Sequence, residues 1–321
     1  MIPYILRRFV QAVPAVFIIV TIIFVLTRIV PGDPAGVLLG PLADQRTVDE
    51  TRARMGLDRP IVIQYLEWLS ASVRGDFGES FFIGRPVSQV IRQALPATVS
   101  LAVLSLLLTV GTAVPLGVFS ALKRGSMTGN ATMVFSVLGV SFPDFFLGSI
   151  LILVFAVQLG WLPTFGYKSL SGGFFTWLRY MVMPVFTISF SQVALVSRMT
   201  RAAMLQVLEE DYVRTARAKG LPELRINLIH ALRNAFVPIL TVIGLSFAGV
   251  LGGALIVETV FAIPGLGRLV VNAATRRDYP VIQGVVTYLA LMYMLVNLVV
   301  DIGYAWINPR IRYESEGHLW R

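Results

Sequence analysis

The sequence contains no cysteine, which excludes disulfides, thiol catalysis and cysteine-ligated metal. Its two histidines, His230 and His318, cannot by themselves build a metal centre. Charge is scarce as well: 14% of the 321 residues are charged, where an ordinary globular domain carries about 25%. With 56% hydrophobic residues and a mean hydropathy of +0.75, the composition excludes a disordered, collagenous or nucleic-acid-binding protein. No Gly-Lys-Ser/Thr phosphate loop occurs anywhere, so any ATP hydrolysis must come from another chain. The formal charge of +9 would invite a polyanion in a soluble protein, but here the cations must first be placed relative to hydrophobic spans.

What the sequence has instead is long charge-free runs. About 20 apolar residues cross about 30 Å of hydrocarbon as a helix. Six places qualify: Phe9 to Thr27, Gln93 to Leu122 entered at Leu95-Pro96, Thr132 to Leu159 interrupted only by Asp144, Tyr180 to Ser197, Asn234 to Val257 and Tyr279 to Val300. All far exceed the usual strand of about 5 to 6 residues. The first run is longer than a signal-peptide core and no small-residue cleavage pattern follows, so it reads as a retained helix. The expected fold is all-α, a polytopic membrane protein with six transmembrane helices.

Six spans put both termini on one side. That side carries fourteen Lys or Arg residues, among them Arg7, Arg8, Lys123, Arg124 and the cluster from Arg198 to Arg233, whereas the opposite short loops hold only Lys168, Arg179, Arg268, Arg276 and Arg277. The positive-inside rule therefore makes the termini cytoplasmic. Residues 29–92, between the first two spans, are long enough to be largely exempt from that rule and become an external subdomain. Turn signals at Pro31-Gly32-Asp33-Pro34, Gly75-Asp76-Phe77-Gly78 and Gly84-Arg85-Pro86 bracket two helical stretches, Thr47 to Met55 and Ile61 to Val73. In the second, Ile61, Tyr65, Trp68, Leu69 and Ser72 share a face that suits either a membrane interface or packing against the tops of the spans.

The longest cytoplasmic piece, residues 198–233, reads as helix, break, helix. Met199 to Lys219 is free of Gly and Pro and rich in helix formers; Gly220 is placed as the residue just past the helix, and Pro222 can open the next one at its first position. On the helix before the break, Tyr212, Val213 and Ala216 form a compact apolar side, flanked by Arg214 and Arg217, with Glu210 four residues ahead of Arg214. Such a knob suits a plug for a partner's groove, or equally a surface helix lying on acidic headgroups.

Here a resemblance becomes specific. The run Asp211-Tyr212-Val213-Arg214-Thr215-Ala216-Arg217-Ala218-Lys219-Gly220, followed by His230-Ala231-Leu232-Arg233-Asn234 and Pro238, resembles the cytoplasmic loop of ABC-importer permeases of the dipeptide, oligopeptide, nickel and glutathione group. That loop is the group's version of a Glu-Ala-Ala, three residues, Gly motif; counting back from Gly220 puts Arg214, Thr215 and Ala216 at the Glu-Ala-Ala positions, so Arg replaces Glu. Six further segments look like the group's first permease subunit: Pro31-Gly32-Asp33-Pro34, Gly56-Leu57-Asp58-Arg59-Pro60, Gly75-Asp76-Phe77-Gly78, Gly160-Trp161-Leu162-Pro163-Thr164, Pro264-Gly265-Leu266-Gly267-Arg268 and Arg277-Asp278-Tyr279-Pro280. The ending Asn308 to Tyr313 matches too, and the tail Glu314 to Arg321 lies beyond it. The resemblance implies a type I ABC-importer permease fold over residues 1–321, a bacterial inner-membrane location, a second homologous permease, two cytoplasmic ATPase subunits and an external substrate-binding protein. It implies half of a translocation path working by alternating access, no enzyme activity and no cofactor in this chain. It leaves the cargo open among dipeptide, oligopeptide, glutathione, opine and nickel chelate. On this resemblance Asp211, Tyr212, Val213, Arg214, Thr215, Ala216, Arg217, Lys219 and Gly220 are the ATPase-coupling residues.

Asp144 is the clearly mid-span charge, following Pro143 and flanked by Phe142, Phe145 and Phe146. It either borders a translocation path or caps backbone amides freed by the proline. Gly249 and Gly253 form a Gly-x-x-x-Gly pair that permits close helix contact, within the bundle or against a second permease. Gly265-Leu266-Gly267 fails as a nucleotide loop because residue 270 is Val. A secondary transporter would show paired intramembrane charges and repeats, and a membrane enzyme clustered His and acids; the sequence shows neither.

Overall fold

The computed structural model describes residues 2–29 and 32–307; Pro31, the ending Asn308 to Tyr313 and the tail after it lie outside the described residues. Among these, the chain is helical, with one isolated β-bridge between Glu79 and Pro86. A long first helix, α1 (Ile2–Ile29), is followed by three short ones, α2 (Pro34–Leu39), α3 (Gln45–Arg54) and α4 (Ile61–Val73). Then come α5 (Val87–Leu122), α6 (Met127–Ser141) and α7 (Asp144–Leu151), the last continuing as a π-helix over Ile152–Gln158. The second half comprises α8 (Phe174–Leu208), α9 (Asp211–Ala218), α10 (Glu223–Arg225), α11 (Leu232–Val260), α12 (Leu266–Arg276) and α13 (Tyr279–Ile307). A π-helical stretch, Ile226–Ala231, joins α10 to α11 without a break.

Five helices are long and apolar enough to cross a membrane, and the number reaches six when the bent pair α6–α7 counts as one span. The third expected span is therefore not one continuous helix from Thr132 to Leu159: it turns by 94°. The cause is local. Pro143 has no amide to donate, and the residue before a proline is driven to extended backbone, as Phe142 is at φ −87°, ψ 119°. The other spans start or end beyond their charge-free runs. The helix of α5 begins at Val87 and carries Pro96 and Pro115 inside it, so Pro96 does not mark an entry; neighbouring helices in a membrane bundle accommodate such internal prolines.

The core is a packed trio, α5, α8 and α11. Leu101 of α5, Met181 and Ile188 of α8, and Val250, Ala254 and Val257 of α11 make one buried cluster. Val196 and Met204 of α8 with Ala235 and Ile239 of α11 make a second, nearer α9. Small residues allow the approach: a Cβ on Gly117 of α5 would meet the Thr200 side chain of α8 at 2.5 Å. The helices α1 and α13 pair outside this core, tied at one end by Arg8–Asp301 at 3.6 Å and at the other by Gln283 donating to Thr27 Oγ1 at 2.9 Å.

The segment between α1 and α5 packs at the α12 end of the bundle. Its turn motifs act as latches. Asp33 caps α2 by accepting from the Ala35 amide at 3.2 Å and pairs with Arg52 at 2.8 Å, while the guanidinium of Arg277 lies on Gly32 where a side chain would stand. Asp278 accepts from the Ser80 hydroxyl and from the Phe81 amide at 3.1 Å, fixing the turn after Gly78 to the start of α13. Of the face expected on α4, Tyr65 and Trp68 pack on Phe24 of α1 at 5.1 and 5.4 Å, whereas Ile61 stays exposed, as do Val62 and Leu66 outside that face.

Candidate functional site

The loop after α8 forms an elbow. The expected single helix from Met199 to Lys219 is interrupted at Glu209 and Glu210: α8 ends at Leu208 and α9 starts at Asp211. The acidic side chain of Asp211 in the first turn and Arg217 in the last suit the helix dipole. Because Glu210 stands outside the helix, Arg214 pairs with Asp211 at 3.3 Å instead of with Glu210.

The end of α9 is closed on glycine. Gly220 has φ +74°, its amide donates to Arg217 O at 2.9 Å, and the Leu221 amide donates to Ala216 O at 3.3 Å. These two bonds make a Schellman motif, with its usual hydrophobic contact between Leu221 and the helix. Pro222 stands just ahead of α10 instead of at its first position.

The compact apolar side expected to be inserted into a partner does not point outward. Val213 is 0% exposed and, with Ala216, closes over this chain's own Ile226, Leu208 and Leu221. The physical reason is the break at Glu209 and Glu210, which lets α9 fold back so that its apolar side finds cover within the loop. Tyr212 remains exposed, its hydroxyl accepting from Asn234 Nδ2 at 2.9 Å and thereby tying α9 to α11. The outward surface consists of Asp211, Tyr212, Arg214, Thr215, Arg217, Ala218, Lys219 and Gly220, with Arg217 bonded to Glu223 across the elbow at 2.9 Å.

At the broken span, Asp144 opens α7 and its Oδ1 accepts from Ser191 of α8 at 3.2 Å, so the carboxylate is aimed across the bundle. A Cβ on Gly253 would stand 2.9 Å from Oδ2, and one on Gly249 would overlap the amide of Gln192. The Gly-x-x-x-Gly pair thus accommodates polar side chains of α7 and α8 inside this subunit, the intramolecular alternative left open above. Oε1 of Gln192 is buried without a partner among the described residues. Phe142, Phe145 and Phe146 are all exposed, with Phe142 and Phe146 stacked at 6.2 Å. Gln192 escapes sequence reasoning because an amide in an apolar run carries no charge to mark it.

Glu258 was missed as well, lying one residue past the expected end of the fifth span. It is 0% exposed. Its carboxylate accepts from the Thr98 hydroxyl at 2.6 Å and from the Arg268 amide at 3.0 Å, at the N-terminus of α12. A Cβ on Gly265 would overlap this carboxylate, and one on Gly267 would meet it at 3.0 Å. The Pro264-Gly265-Leu266-Gly267-Arg268 segment is therefore a loop folded around this internal carboxyl group. Thr98 closes the circuit by accepting from the Leu266 amide at 2.8 Å. Arg268 donates to Ala262 O at 2.8 Å, beside the one turn where Ala262 holds φ +52°. A nearby loop signal, Gly followed by a small gap and Gly, was the only trace of this in sequence.

Residues 113–313 match the family described as binding-protein-dependent transport system inner membrane component, and residues 1–102 match the N-terminal membrane component of the same systems. The chain is 46% identical over 310 residues to the probable peptide ABC transporter permease protein y4tP of Sinorhizobium fredii (strain NBRC 101917 / NGR234), covering 97% of this chain and 99% of that protein. It is 42% identical over 314 residues to the glutathione transport system permease protein GsiC of Escherichia coli (strain K12), covering 98% and 100%. Among solved structures, an inward-facing form of the MetNI methionine ABC transporter aligns with a TM-score of 0.54 at 16% identity, over 68% of this chain and 97% of that one. At that identity the likeness concerns fold alone, that of a type I importer permease.

Proposed function

The chain belongs to the family of inner membrane components of binding-protein-dependent transport systems and is an ABC importer permease, and from that premise we propose that it carries peptides or related small solutes. In this reading it forms one half of the translocation path beside a second homologous permease and works by alternating access. ATP is hydrolysed on two separate cytoplasmic subunits, an external binding protein delivers the cargo, and this chain needs no cofactor of its own. Both termini are cytoplasmic and residues 29–92 form the external subdomain.

The observation that carries the coupling half of this reading is the elbow. A short helix bearing Arg214 and Arg217, closed by Lys219 and Gly220, is held to the end of α8 by Val213 and Ala216 packing with Leu208 and to the start of α11 by the Tyr212–Asn234 bond, α8 and α11 being two of the three core helices. Displacement of such an elbow is transmitted to the core, because packed interiors shift as units. Its cations and the exposed Tyr212 are suited to an acidic groove on an ATPase, with Asp211 and Thr215 shaping the first turn. Asp144, walled by Phe142, Pro143 and Phe145, is the candidate side chain along the path.

The test is reconstitution of the chain with its neighbouring permease, ATPases and binding protein in proteoliposomes. ATP-dependent uptake of a peptide mixture, unaffected by collapse of the proton gradient, is the expected result. Uptake that follows the gradient and ignores ATP overturns the reading. Mass spectrometry of the ligand co-purified with the binding protein then identifies the cargo.

A further inference from the structure

We propose that the seam between α1 and α4 is a binding site for an anionic phospholipid, with the phosphate held at Arg28 and an acyl chain lying in the groove beneath it. The groove has a volume of 350 Å³; Phe24, Val25 and Ile29 of α1 face Ile61, Val62 and Tyr65 of α4, and Arg28 stands at its end. Arg28 also lines a second cavity of 790 Å³, whose walls include Gln64, Glu67, Trp68, Asp76 and Tyr279. The guanidinium is thus shared between an apolar slot and a cavity that carries polar and acidic side chains, the arrangement that an amphiphile fits.

The chemistry of Arg28 points to an anion. Its Nε donates to Gln64 Oε1 at 3.0 Å, and the rings of Phe24 and Tyr279 lie 4.9 Å from the guanidinium carbon. It has no ion pair among the described residues, and its Nη1 is buried without a hydrogen-bond partner. Trp68, whose ring packs on Phe24 at 5.4 Å, has in Nε1 a second buried donor without a partner among the described residues. A phosphodiester supplies the counter-charge and several acceptor oxygens that this pair of donors lacks, and a planar guanidinium suits it better than an ammonium does.

The position favours a lipid over a soluble anion. Only 11% of the apolar window of α1 is buried inside the chain, so the groove opens on the hydrocarbon side of the span. Arg28 is at the end of α1, one residue from Thr27, whose bond to Gln283 marks the level where α13 begins. That is headgroup depth. Tyr65 holds α4 against α1 through a 2.8 Å hydroxyl bond to Thr21, which keeps the slot open at a fixed width.

The experiment is native mass spectrometry of the full-length chain released from mild detergent after titration with phosphatidylglycerol or phosphatidylcholine of the same acyl length. Wild type is expected to retain phosphatidylglycerol at least tenfold better than phosphatidylcholine. Arg28→Gln abolishes that preference, and Arg28→Lys retains part of it. Since Arg28 also helps dock α4, a second variant is needed: Val62 is 64% exposed, so Val62→Trp fills the groove without entering the core and should displace the lipid while Arg28 remains. Equal retention by wild type and either Arg28→Gln or Val62→Trp overturns the site. Displacement of the lipid by inorganic phosphate at millimolar concentration also overturns it, because the anion would then bind without the acyl chain.

Discussion

Gly253 of α11 and Asp144 of α7 share one space: a Cβ on the glycine would stand 2.9 Å from Oδ2 of the carboxylate. The acid at the broken span is therefore positioned by a residue more than 100 places away that contributes no side chain. Replacing Gly253 by Val is expected to push the carboxylate from Ser191 and to destabilise the bundle by about 1–3 kcal/mol, the usual cost of overpacking. In an Asp144→Ala background the same substitution should cost less, with a coupling of at least about 0.5 kcal/mol. Thermal unfolding of the four proteins in detergent measures this; strictly additive effects would show that the two residues do not share the space.

Asp144→Asn separates a role in transport from a role in folding. Asparagine keeps the volume and an acceptor for Ser191 while removing the charge. If the carboxylate borders the path, uptake should fall at least about tenfold, equivalent to about 1.4 kcal/mol, with assembly and ATPase binding as in wild type. A purely structural carboxylate would instead lower expression or thermal stability. Wild-type uptake with wild-type stability rejects both roles.

The circuit around Glu258 is expected to be structural. Glu258→Ala leaves the Thr98 hydroxyl and the Arg268 amide without their acceptor in a buried site, a loss of about 2–5 kcal/mol. Thr98→Val removes the donor to Glu258 and the acceptor for the Leu266 amide, and should cost about 1–3 kcal/mol. Gly265→Ala acts from the other side by occupying the carboxylate's place. All three lower the unfolding temperature of the purified chain; a wild-type temperature for Glu258→Ala would remove this circuit from the account.

Much of this architecture was legible in the sequence because membranes impose it: apolar run length alone locates α1, α5, α8, α11 and α13. Gly220 was legible for the same kind of reason, since a positive φ after a helix calls for glycine. The bend at Pro143 has a local cause in the sequence, but its size does not, since Pro96, Pro115, Pro184 and Pro238 lie inside continuous helices; the break after Leu208 was hidden because helix-forming residues continue on both sides of it. Burial of Val213 and Ala216 was hidden too: an apolar patch looks the same in sequence whether it meets a partner or its own Ile226. Glu258 and Gln192 are set by contacts from other helices, and local sequence spacing has no means of announcing those.

The proposed orientation has a direct test, because the chain has no cysteine of its own. Leu42, 98% exposed between α2 and α3, is the position of choice for Leu42→Cys. A membrane-impermeant maleimide should label it in intact spheroplasts, with Lys219→Cys reacting only after the membrane is opened. The reverse pattern overturns the assignment of residues 29–92 to the external side.

Gly220 gives the sharpest test of the elbow, because its surroundings isolate one cause. No atom lies within 4 Å of a Cβ placed there, so crowding cannot explain a defect; the backbone at φ +74° can. A β-branched residue at positive φ is strongly disfavoured, whereas asparagine tolerates this region. Gly220→Val is thus expected to open the Schellman bonds to Arg217 and Ala216, realign α9 against α10 and reduce ATP-driven uptake by at least about tenfold, equivalent to about 1.4 kcal/mol. Gly220→Asn should retain most of it, and insertion of the spans should be normal in both. The same logic changes the meaning of Ala216→Trp: with Ala216 buried against Ile226, the indole would lever α9 off its own chain before it met any partner. By contrast, Arg214→Glu leaves that internal packing intact and inverts an exposed charge; the Asp211 pair it removes is exposed and weak, so it should weaken ATPase co-purification with only a small loss in the stability of the chain. If Gly220→Val and Arg214→Glu both retain the ATPase and its normal substrate-stimulated hydrolysis, α9 is a surface helix resting on lipid and the coupling must enter elsewhere.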